Sequence, residues 1–309
     1  MTTRDAALLG RAAPERAVVA MAGGDALSVL QDVVTNDVGP VMADPTRVVY
    51  AALLTPQGKY LFDFFVLQGP AGEGLLIDVA AERAAALAKR IGMYCLRRDA
   101  RVVGETGLAV GQIMPAALRD RPGQEGTDAS LPEALPAELP AALPGTLPDG
   151  LRAIRDPRHP ALGWRLYAPD AATLEAGLAA SGADTLDAEA LAARRIALGV
   201  PESGVELVPE ETFPLEAGLD VLSGIDFRKG CYVGQEVTAR MRHKTVLRKR
   251  LVRVSVTGAA PSGTPVTTAE GKPAGTLFTQ AGGAALAHLR LDRAEGPLRA
   301  GEAEVTLPD

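Results

Sequence analysis

Residues 226–240 read DFRKGCYVGQEVTAR and bring a thiol, cations, an amide and carboxylates into one short segment of a 309-residue chain. Within it, Cys231 follows Arg228 by three residues and Lys229 by two. Cations beside a cysteine favour its thiolate, which is the nucleophilic and metal-binding form of the side chain. The segment is therefore compatible with a functional thiol at Cys231, whose anion Lys229 and Arg228 would stabilise.

Two glycines, Gly230 and Gly234, surround this cysteine. Glycine permits a positive φ or the close approach of a ligand to the backbone. Gln235 and Glu236 add an amide and a carboxylate directly after the second glycine. The alternative is that Cys231 is a small buried apolar side chain, the commonest role of a lone cysteine. The residues by themselves leave both roles open.

Within the segment, KGCYVGQE at 229–236 resembles the signature K-G-C-[FYW]-x-G-Q-E of the YgfZ family. YgfZ proteins are folate-binding members of the glycine-cleavage T-protein (aminomethyltransferase) superfamily that support iron–sulfur cluster assembly and tRNA modification. The resemblance covers nearly the whole chain except 115–150, on the motifs GDA (24–26), TNDV (35–38), LTPQGK (54–59), DPR (156–158), GWR (163–165), FPLE (213–216) and ALAHLR (285–290). It implies a folate-binding accessory protein for iron–sulfur cluster assembly or repair and, through it, tRNA modification.

The resemblance implies an α+β fold, with two ferredoxin-like lobes forming a central folate pocket and a small C-terminal β-barrel. The first third of the chain alternates helix and strand signals in the order β-α-β-β-α-β, with a hairpin over 48–67 and a strand over 101–110. Short strands separated by Gly and Pro turns follow residue 249. The expected units are a folate-binding lobe at 1–114, a linker at 115–150, a second lobe with the signature at 151–247, and the barrel at 248–309.

The expected linker is set apart by a Leu-Pro pair that recurs every four residues from Leu131 to Pro148. Proline at this spacing removes successive helical hydrogen-bond donors, so a stable helix is excluded. The pattern favours an extended surface spacer, and the alternative is a docking segment for a partner.

The family resemblance implies tetrahydrofolate or a derivative as the cofactor. By spacing from the turn glycine of the hairpin, Tyr50 and Asp63 fall at the positions of a tyrosine and a folate-contacting aspartate in the T-proteins. A carboxylate suits the pterin because ring N–H and amino groups can donate to it in parallel. Arg228, Gln235 and Glu236 are the further residues expected to contact folate. The alternatives are a core aromatic at Tyr50 and an exposed strand position at Asp63.

One departure from the T-protein pattern bears on the reaction. Residues 195–199 read RIALG where T-proteins carry R-[IL]-E-A-G, so Ala197 replaces the glutamate that holds folate. This argues against an aminomethyltransferase, and Cys231 is instead expected to act in redox exchange or as a transient ligand. Two alternatives stay open: a tetrahydrofolate-dependent one-carbon transferase or demethylase, and a non-catalytic folate-sensing scaffold. Turnover of a folate adduct would select the first, and folate binding with a dispensable Cys231 the second.

The composition limits the class of partner and the compartment. A net charge of −6 and a pI near 5.3 disfavour direct nucleic-acid binding, which relies on clustered Lys and Arg. Two cysteines far apart in the sequence indicate no disulfide framework, and three scattered histidines indicate no metal site. No apolar run is long enough for a signal peptide or a membrane span. We expect a cytoplasmic protein without membrane contact, whose partners are folate and iron–sulfur assembly proteins or client enzymes.

A local exception to the acidic composition follows the signature. Seven basic side chains lie within eleven residues: Arg240, Arg242, His243, Lys244, Arg248, Lys249 and Arg250. This run suits an acidic partner protein or the polyglutamate tail of a folate. The alternatives are RNA and a solvated strand edge guarded by charge.

Overall fold

The structure is a computed structural model that describes residues 8–116, 142–244 and 247–308. Two five-stranded sheets and a closed barrel form the framework of the described part. In chain order the strands are β1 (Leu8–Ala12), β2 (Arg16–Ala22), β3 (Val48–Leu54), β4 (Tyr60–Gln68), β5 (Leu75–Ala80), β6 (Arg101–Glu105), β7 (Ala109–Pro115), β8 (Arg152–Arg155), β9 (Trp164–Ala168), β10 (Asp184–Thr185), β11 (Lys249–Thr257), β12 (Thr264–Thr268), β13 (Pro273–Ala281), β14 (Ala284–Arg290), β15 (Leu298–Ala300) and β16 (Ala303–Thr306). The helices are α1 (Ala26–Val33), α2 (Pro40–Ala43), α3 (Ala84–Gly92), α4 (Ala171–Ala180), α5 (Ala188–Leu198) and α6 (Gln235–Lys244).

The first sheet has the strand order β3-β4-β5-β2-β6, and its pairings are antiparallel. Its hairpin β3–β4 is the predicted one, and the turn closes at Gly58 with a φ of +75°, which glycine adopts without strain. Strand β4 is buried along nearly its whole length, so both faces of this sheet are covered. Helix α1 packs on one face through residues spaced i, i+3, i+4 and i+7: Ala26, Val29, Leu30 and Val33.

The second sheet has the strand order β10-β1-β7-β9-β8. Its strands β1 and β7 come from residues that the sequence assigns to the first lobe, so the two sheets are interleaved along the chain. The single strand expected over 101–110 is wrong, because the chain turns near Gly107 (φ +73°) and passes from β6 in the first sheet to β7 in the second. Both segments contain β-branched apolar residues, so hydropathy alone does not reveal the change of sheet.

Helix α5 lies against the barrel strands β13 and β14 and has a defined start and end. The Asp187 carboxylate accepts a hydrogen bond from the Ala190 N–H at 2.7 Å, which caps the N-terminus. Gly199, in the left-handed conformation at φ +61°, ends the helix. These two caps fix the last turn of α5, which carries Arg195.

The C-terminal strands close into a barrel in the order β11-β14-β13-β12-β15-β16. Strand β11 alternates with a period of two: Val252, Val254 and Val256 are buried in the barrel core, whereas Arg253 and Ser255 face solvent. The predicted α+β class and the predicted C-terminal barrel are both confirmed.

Part of the expected linker packs against the second sheet. Leu143 is buried in the core cluster of that sheet, and Leu147 lies against the same cluster. Gly145 passes so close to helix α4 that an added Cβ would lie 2.2 Å from the Ala180 carbonyl oxygen. The prediction of an extended surface spacer is therefore wrong for residues 142–150. Their leucines pack against the second sheet, and the abundance of proline and alanine in the sequence does not indicate this packing. The rest of the Leu-Pro repeat, within 117–141, lies outside the described residues.

His288 on β14 provides a test of the barrel's packing. The side chain is 3% exposed, and burial, with a smaller contribution from Lys249, lowers the pKa of His288 from its ordinary 6.5 to about 4. The folded state therefore holds His288 in its neutral form. The stabilisation that depends on this neutral form is complete above pH 6.5 and is lost as the pH falls towards 4. The expected loss is about 2–3 kcal/mol in the free energy of unfolding.

Urea unfolding measured between pH 7 and pH 4 checks this expectation. His288→Gln, which is neutral at every pH, should flatten the decline, whereas His243→Gln, at an exposed position on α6, should leave it unchanged. An equally steep decline in His288→Gln would assign the acid sensitivity to other groups.

Candidate functional site

A cavity of about 630 Å³ lies between the two sheets. Its volume is in the range of sites for small organic ligands, about 300–1,000 Å³. The lining side chains are mostly charged or polar and include Glu15, Arg16, Asp63, Glu82, Gln112, Arg158, Arg165, Arg195, Glu202 and Ser203, with Phe65, Leu162, Leu191 and Val205 among the apolar ones. The cavity thus combines charged groups with a larger apolar surface, and it lies between the two sheets, where the family resemblance implies the ligand pocket.

Asp63 is 4% exposed on β4 and points its carboxylate into a set of hydroxyl groups at the cavity wall. Oδ2 accepts a hydrogen bond from the Tyr50 hydroxyl at 3.0 Å, and Oδ1 accepts one from the Tyr60 hydroxyl at 2.8 Å. Ser203 donates a third, also to Oδ1. Burial and the neighbouring Asp63 charge raise the pKa of both phenols, so both remain donors at neutral pH. The carboxylate is held in one orientation and keeps unused acceptor capacity on Oδ2.

In the wall of the cavity, a buried ion network joins the two sheets. Asp78 on β5 accepts from Arg16 Nε at 2.7 Å, from Arg165 and from the Tyr167 hydroxyl at 2.8 Å. Asp156 pairs with Arg158, whose guanidinium lies 4.8 Å from the Phe65 ring centroid. Sequence reasoning assigned no site role to Arg16, Arg158 or Arg165. The available signal was the family-like motif DPR…GWR at 156–165, which contains Arg158 and Arg165 together with their partner Asp156.

The hydrogen bonds of Lys229 go to the backbone of the segment after α1, which the sequence did not predict, and its effect on the Cys231 thiolate stays a prediction. Its ammonium donates to the backbone carbonyl oxygens of Gln31 at 2.7 Å, of Val34, and of Asn36 at 3.1 Å. Burial lowers the pKa of Lys229 to about 8, partly offset by nearby aspartates. Three carbonyl acceptors satisfy all three ammonium donors. Lys229 therefore links the signature to the segment after α1 through hydrogen bonds.

The Cys231 side chain is exposed, whereas the following Tyr232 is buried in the core cluster that contains Tyr50. The alternative of a buried apolar cysteine is therefore excluded. Cys231 does not line the cavity, so the structure does not bring its thiol and Asp63 into one chamber. Tyr232, next to Cys231, and Tyr50, next to Asp63, share one core cluster.

Among the predicted folate contacts Asp63 lines the cavity, whereas Tyr50 is a fully buried core aromatic and the other three also lie outside the cavity. The Arg228 side chain is 94% exposed, with Nε 3.7 Å from an Asp226 carboxylate oxygen. Gln235 starts α6 and accepts from the Tyr232 N–H at 3.3 Å, and Glu236 is exposed in the first turn of that helix. None of Arg228, Gln235 and Glu236 is among the residues that line the cavity.

The second glycine of the signature has a packing role. Gly234 has a φ of +84°, and an added Cβ would lie 2.6 Å from the Thr55 carbonyl oxygen and 3.1 Å from the Cα of Gly58. The turn of hairpin β3–β4 and the start of α6 thus meet backbone to backbone. Gly230 has no atom within 4 Å of an added Cβ and no positive φ.

Gly234→Ala should therefore lower the free energy of unfolding by about 2 kcal/mol, from steric overlap and a strained φ. Gly230→Ala is the matched control and should change stability by less than about 0.5 kcal/mol. Chemical denaturation of both variants tests the difference. If the Gly234→Ala and Gly230→Ala variants are equally stable, the turn at Gly234 and the turn of hairpin β3–β4 can move apart without loss of stability.

Comparison with known proteins identifies the family. The model of the CAF17 C-terminal β-barrel domain matches residues 248–309. The mitochondrial iron–sulfur cluster assembly factor IBA57 of Mus musculus is 32% identical over 300 residues, which span 92% of this chain and 78% of that protein. The Homo sapiens IBA57 is 32% identical over 297 residues, with the same two coverages. The chain belongs to the IBA57 family. Fungal members are longer: the chain spans 56% of the Mycosarcoma maydis homologue, at 32% identity over 78% of this chain.

The fold of this IBA57-family chain is also that of a known structure. The crystal structure of the glycine cleavage system aminomethyltransferase T from Bartonella henselae superposes with a TM-score of 0.73, covering 98% of this chain and 86% of that protein at 16% sequence identity. The predicted T-protein-like fold is confirmed. The narrower assignment to the YgfZ branch stays a prediction, since the relatives reported above carry the IBA57 name.

The cytoplasmic location expected from the sequence is wrong, because the named IBA57 relatives are mitochondrial proteins. Cysteines without disulfides indicate a reducing compartment, but they do not distinguish one reducing compartment from another. No helix within the described ranges is long and apolar enough to cross a membrane.

Proposed function

We propose that this chain is a folate-binding accessory factor in iron–sulfur cluster assembly, with Cys231 as its working thiolate. The observation that carries the proposal is the exposed Cys231 in a signature turn that Lys229 and Gly234 fasten to the rest of the fold, in a member of the IBA57 family. The partners would be iron–sulfur assembly proteins or client enzymes. A role in tRNA modification would follow only through clusters supplied to tRNA-modifying enzymes.

Reduced folate fits the residues that line the cavity. Asp63 is preoriented by three hydroxyl groups and keeps one acceptor site, on Oδ2, for a ring N–H or an amino group of a pterin. Phe65 and Leu162 provide an apolar surface for the ring. A bound reduced folate would itself be the carrier of one-carbon units. Within the chain, Asp63 would bind and orient the ring while Tyr50 and Tyr60 keep the carboxylate in place.

Cys231 would act as a transient ligand to cluster iron rather than in intramolecular disulfide exchange. The other cysteine, Cys95, is buried, and its thiol donates to the Ile91 carbonyl oxygen at 3.5 Å. Burial also raises the pKa of the Cys95 thiol, which lowers its reactivity. A thiolate ligand needs no second cysteine on the same chain, so transient ligation is the simpler use of an exposed Cys231.

The two alternatives remain distinguishable from this proposal. A one-carbon transferase would need folate chemistry without the T-protein glutamate, whose position is occupied by Ala197. A folate-sensing scaffold would bind folate and function without Cys231. Production of the chain in a strain that lacks its own IBA57 factor is the direct test. We expect restored activity of iron–sulfur enzymes, and failure to restore it at normal protein levels would contradict the proposed role.

Folate binding is tested at Asp63. Tetrahydrofolate should stabilise the wild-type protein, by about 2.7 kcal/mol at a hundredfold excess over its Kd. Asp63→Asn replaces an acceptor with a donor and should weaken binding by about 1–3 kcal/mol, or about five- to 150-fold in Kd. Calorimetric titration measures both. Asp292→Asn, which changes an exposed ion pair on the barrel, is the control and should not alter binding. If the wild-type protein shows no binding at millimolar tetrahydrofolate, the folate part of the proposal is wrong.

A further inference from the structure

A groove of about 490 Å³ lies between helix α3 and strand β6, and none of its lining residues belongs to the cavity that contains Asp63. Among the described residues that line the groove, only Arg101 has a charged side chain. Gly92 and Gly104 line it without filling it, because an added Cβ at either would have no atom within 4 Å. The groove therefore has room for apolar side chains of another molecule, but it lacks the set of polar groups that would orient a polar small ligand.

Exposed large apolar side chains are concentrated at this groove. Four such side chains are exposed among the described residues, and two of them, Leu96 at 74% and Val103 at 61%, line the groove. A third, Met93 at 57%, directly follows Gly92. Single exposed apolar residues are ordinary on a protein surface, whereas a contiguous apolar patch indicates an interaction site. The groove and these side chains therefore form a candidate docking surface.

Strand β6 is an edge of the first sheet, but its shape hinders pairing with a further strand. Consecutive residues of β2 pair with Val102 and Gly104, so Val103 between them has no partner and forms a β-bulge. A bulge distorts the edge of a sheet and opposes the addition of another strand. A molecule in the groove would therefore make contact through side chains, as a helix does when it binds in an apolar groove.

The rim of the groove is positively charged. Lys89, Arg97 and Arg101 are exposed, and none of their side chains forms a hydrogen bond or an ion pair with another described residue. Residues 89–105 contain five Lys or Arg and two acidic residues, in a chain whose net charge is −6. The apolar groove thus lies in a local excess of positive charge, which favours an acidic occupant.

Charge and shape together decide between the possible occupants. In a symmetric dimer the same patch meets itself, so a second copy of this chain would bring the two cationic rims together, at a cost in affinity. An anionic membrane would attract the cations, but a bilayer receives apolar side chains that project into it and does not fill a recess between a helix and a strand. A helix with an apolar stripe and acidic flanks fits both the recess and its rim.

We propose that the groove between α3 and β6 is a docking site for an acidic amphipathic helix of a partner protein. The apolar stripe of that helix would lie between Leu96 and Val103, and its carboxylates would meet the cationic rim. The signature turn with Cys231 lies far from this site, because Gly234 packs on the turn of hairpin β3–β4, and β3 is the opposite edge of the sheet. Four strand-to-strand spacings separate the two edges, roughly 19 Å. A partner held at the groove would therefore leave the Cys231 thiol accessible.

Binding of a synthetic peptide to the full-length protein tests this proposal. The probe is a fluorescein-labelled helical peptide with leucine at positions i, i+3, i+4 and i+7 and with glutamate and alanine elsewhere. Fluorescence anisotropy should show saturable binding, with a Kd at least about tenfold higher for Val103→Asp. Val221→Asp is the matched control and should leave the Kd unchanged, because Val221 is equally exposed, at 61%, and does not line the groove.

A second variant keeps the test valid if Val103→Asp folds poorly. Gly92→Leu places a side chain in open space of the groove and removes no contact, so it should keep the stability of the wild type and raise the Kd by a similar factor. If the peptide binds Val103→Asp and Gly92→Leu as tightly as the wild type, it binds elsewhere and the proposed site is wrong.

Four further results would contradict the proposal. The first is no binding to the wild type at millimolar peptide, and the second is equal affinity for a peptide in which lysine replaces every glutamate. The third is sedimentation of the wild type with phosphatidylglycerol vesicles that Val103→Asp abolishes, which would make the groove a membrane surface. The fourth is a dimer in analytical ultracentrifugation that Val103→Asp dissociates, which would make the occupant a second copy. None of these measurements involves folate or Cys231, so their failure leaves the proposed function untouched.

Discussion

Asp78→Asn should lower the free energy of unfolding by about 3–5 kcal/mol, because it leaves buried cations without their counter-charge. Asp78 on β5 is fully buried and pairs with Arg16 on β2 and with Arg165 on β9. Arg165 is itself buried, and its other carboxylate, Asp156, lies farther away at 3.5 Å. The pair Asp78–Arg165 also joins the two sheets, so its loss should weaken the wall of the cavity.

The matched control is Asp292→Asn, which removes a half-exposed ion pair with Arg290 on the barrel surface. Such pairs contribute about 0–1 kcal/mol. Urea unfolding at pH 7 should separate the two variants clearly. If Asp78→Asn lowers the free energy of unfolding by less than about 1 kcal/mol, water solvates the unpaired arginines at little cost and the network contributes little to stability.

The same network predicts a pH dependence. Burial raises the pKa of the Asp78 carboxyl, but the charges of Arg16 and Arg165 outweigh it and hold the pKa below its ordinary value. The stabilisation is therefore complete above about pH 4, near the pKa of an unfolded aspartate, and is lost as the pH falls further. The His288 effect acts between pH 6.5 and 4, so the two contributions occupy successive pH ranges.

The position of Asp63 could be predicted because the signal was local. A Pro/Gly turn fixes the register of a hairpin, and counting from the turn glycine assigns Asp63 and Tyr50 to defined places on β4 and β3. The exposure of Cys231 had no such signal, since a lone cysteine between glycines is compatible with either a buried or an exposed side chain.

The role of Lys229 could not be predicted because its partners are remote. The carbonyl oxygens that it contacts belong to the segment 31–36, almost 200 residues earlier in the chain. Proximity in sequence suggested the Cys231 thiolate instead, but a long side chain is directed by its burial and its donors, not by its neighbours along the chain. The same argument applies to Arg16, whose carboxylate partner Asp78 lies 62 residues later in the chain and meets it only when the strands pair.

Cys231→Ser should abolish the ability of the chain to restore iron–sulfur enzymes in a strain that lacks its own IBA57 factor. Serine has nearly the same shape, but its hydroxyl is not ionised at neutral pH and is a poor ligand for cluster iron. The side chain is exposed, so the substitution should change the free energy of unfolding by less than about 0.5 kcal/mol. Tetrahydrofolate binding should be retained, since Cys231 does not line the cavity.

Cys95→Ser is the matched control for this loss. It replaces the buried thiol next to Ile91, so it should lower stability to some extent yet preserve cluster assembly. Alkylation followed by mass spectrometry gives a second measurement, in which Cys231 should react faster than Cys95 because only Cys231 is exposed. If Cys231→Ser restores the enzymes as well as the wild type while folate still binds, the thiol is dispensable. The signature turn would then serve, through Lys229 and Gly234, to hold the start of α6 against the segment after α1 and the turn of hairpin β3–β4, and the folate-sensing scaffold would be the better account.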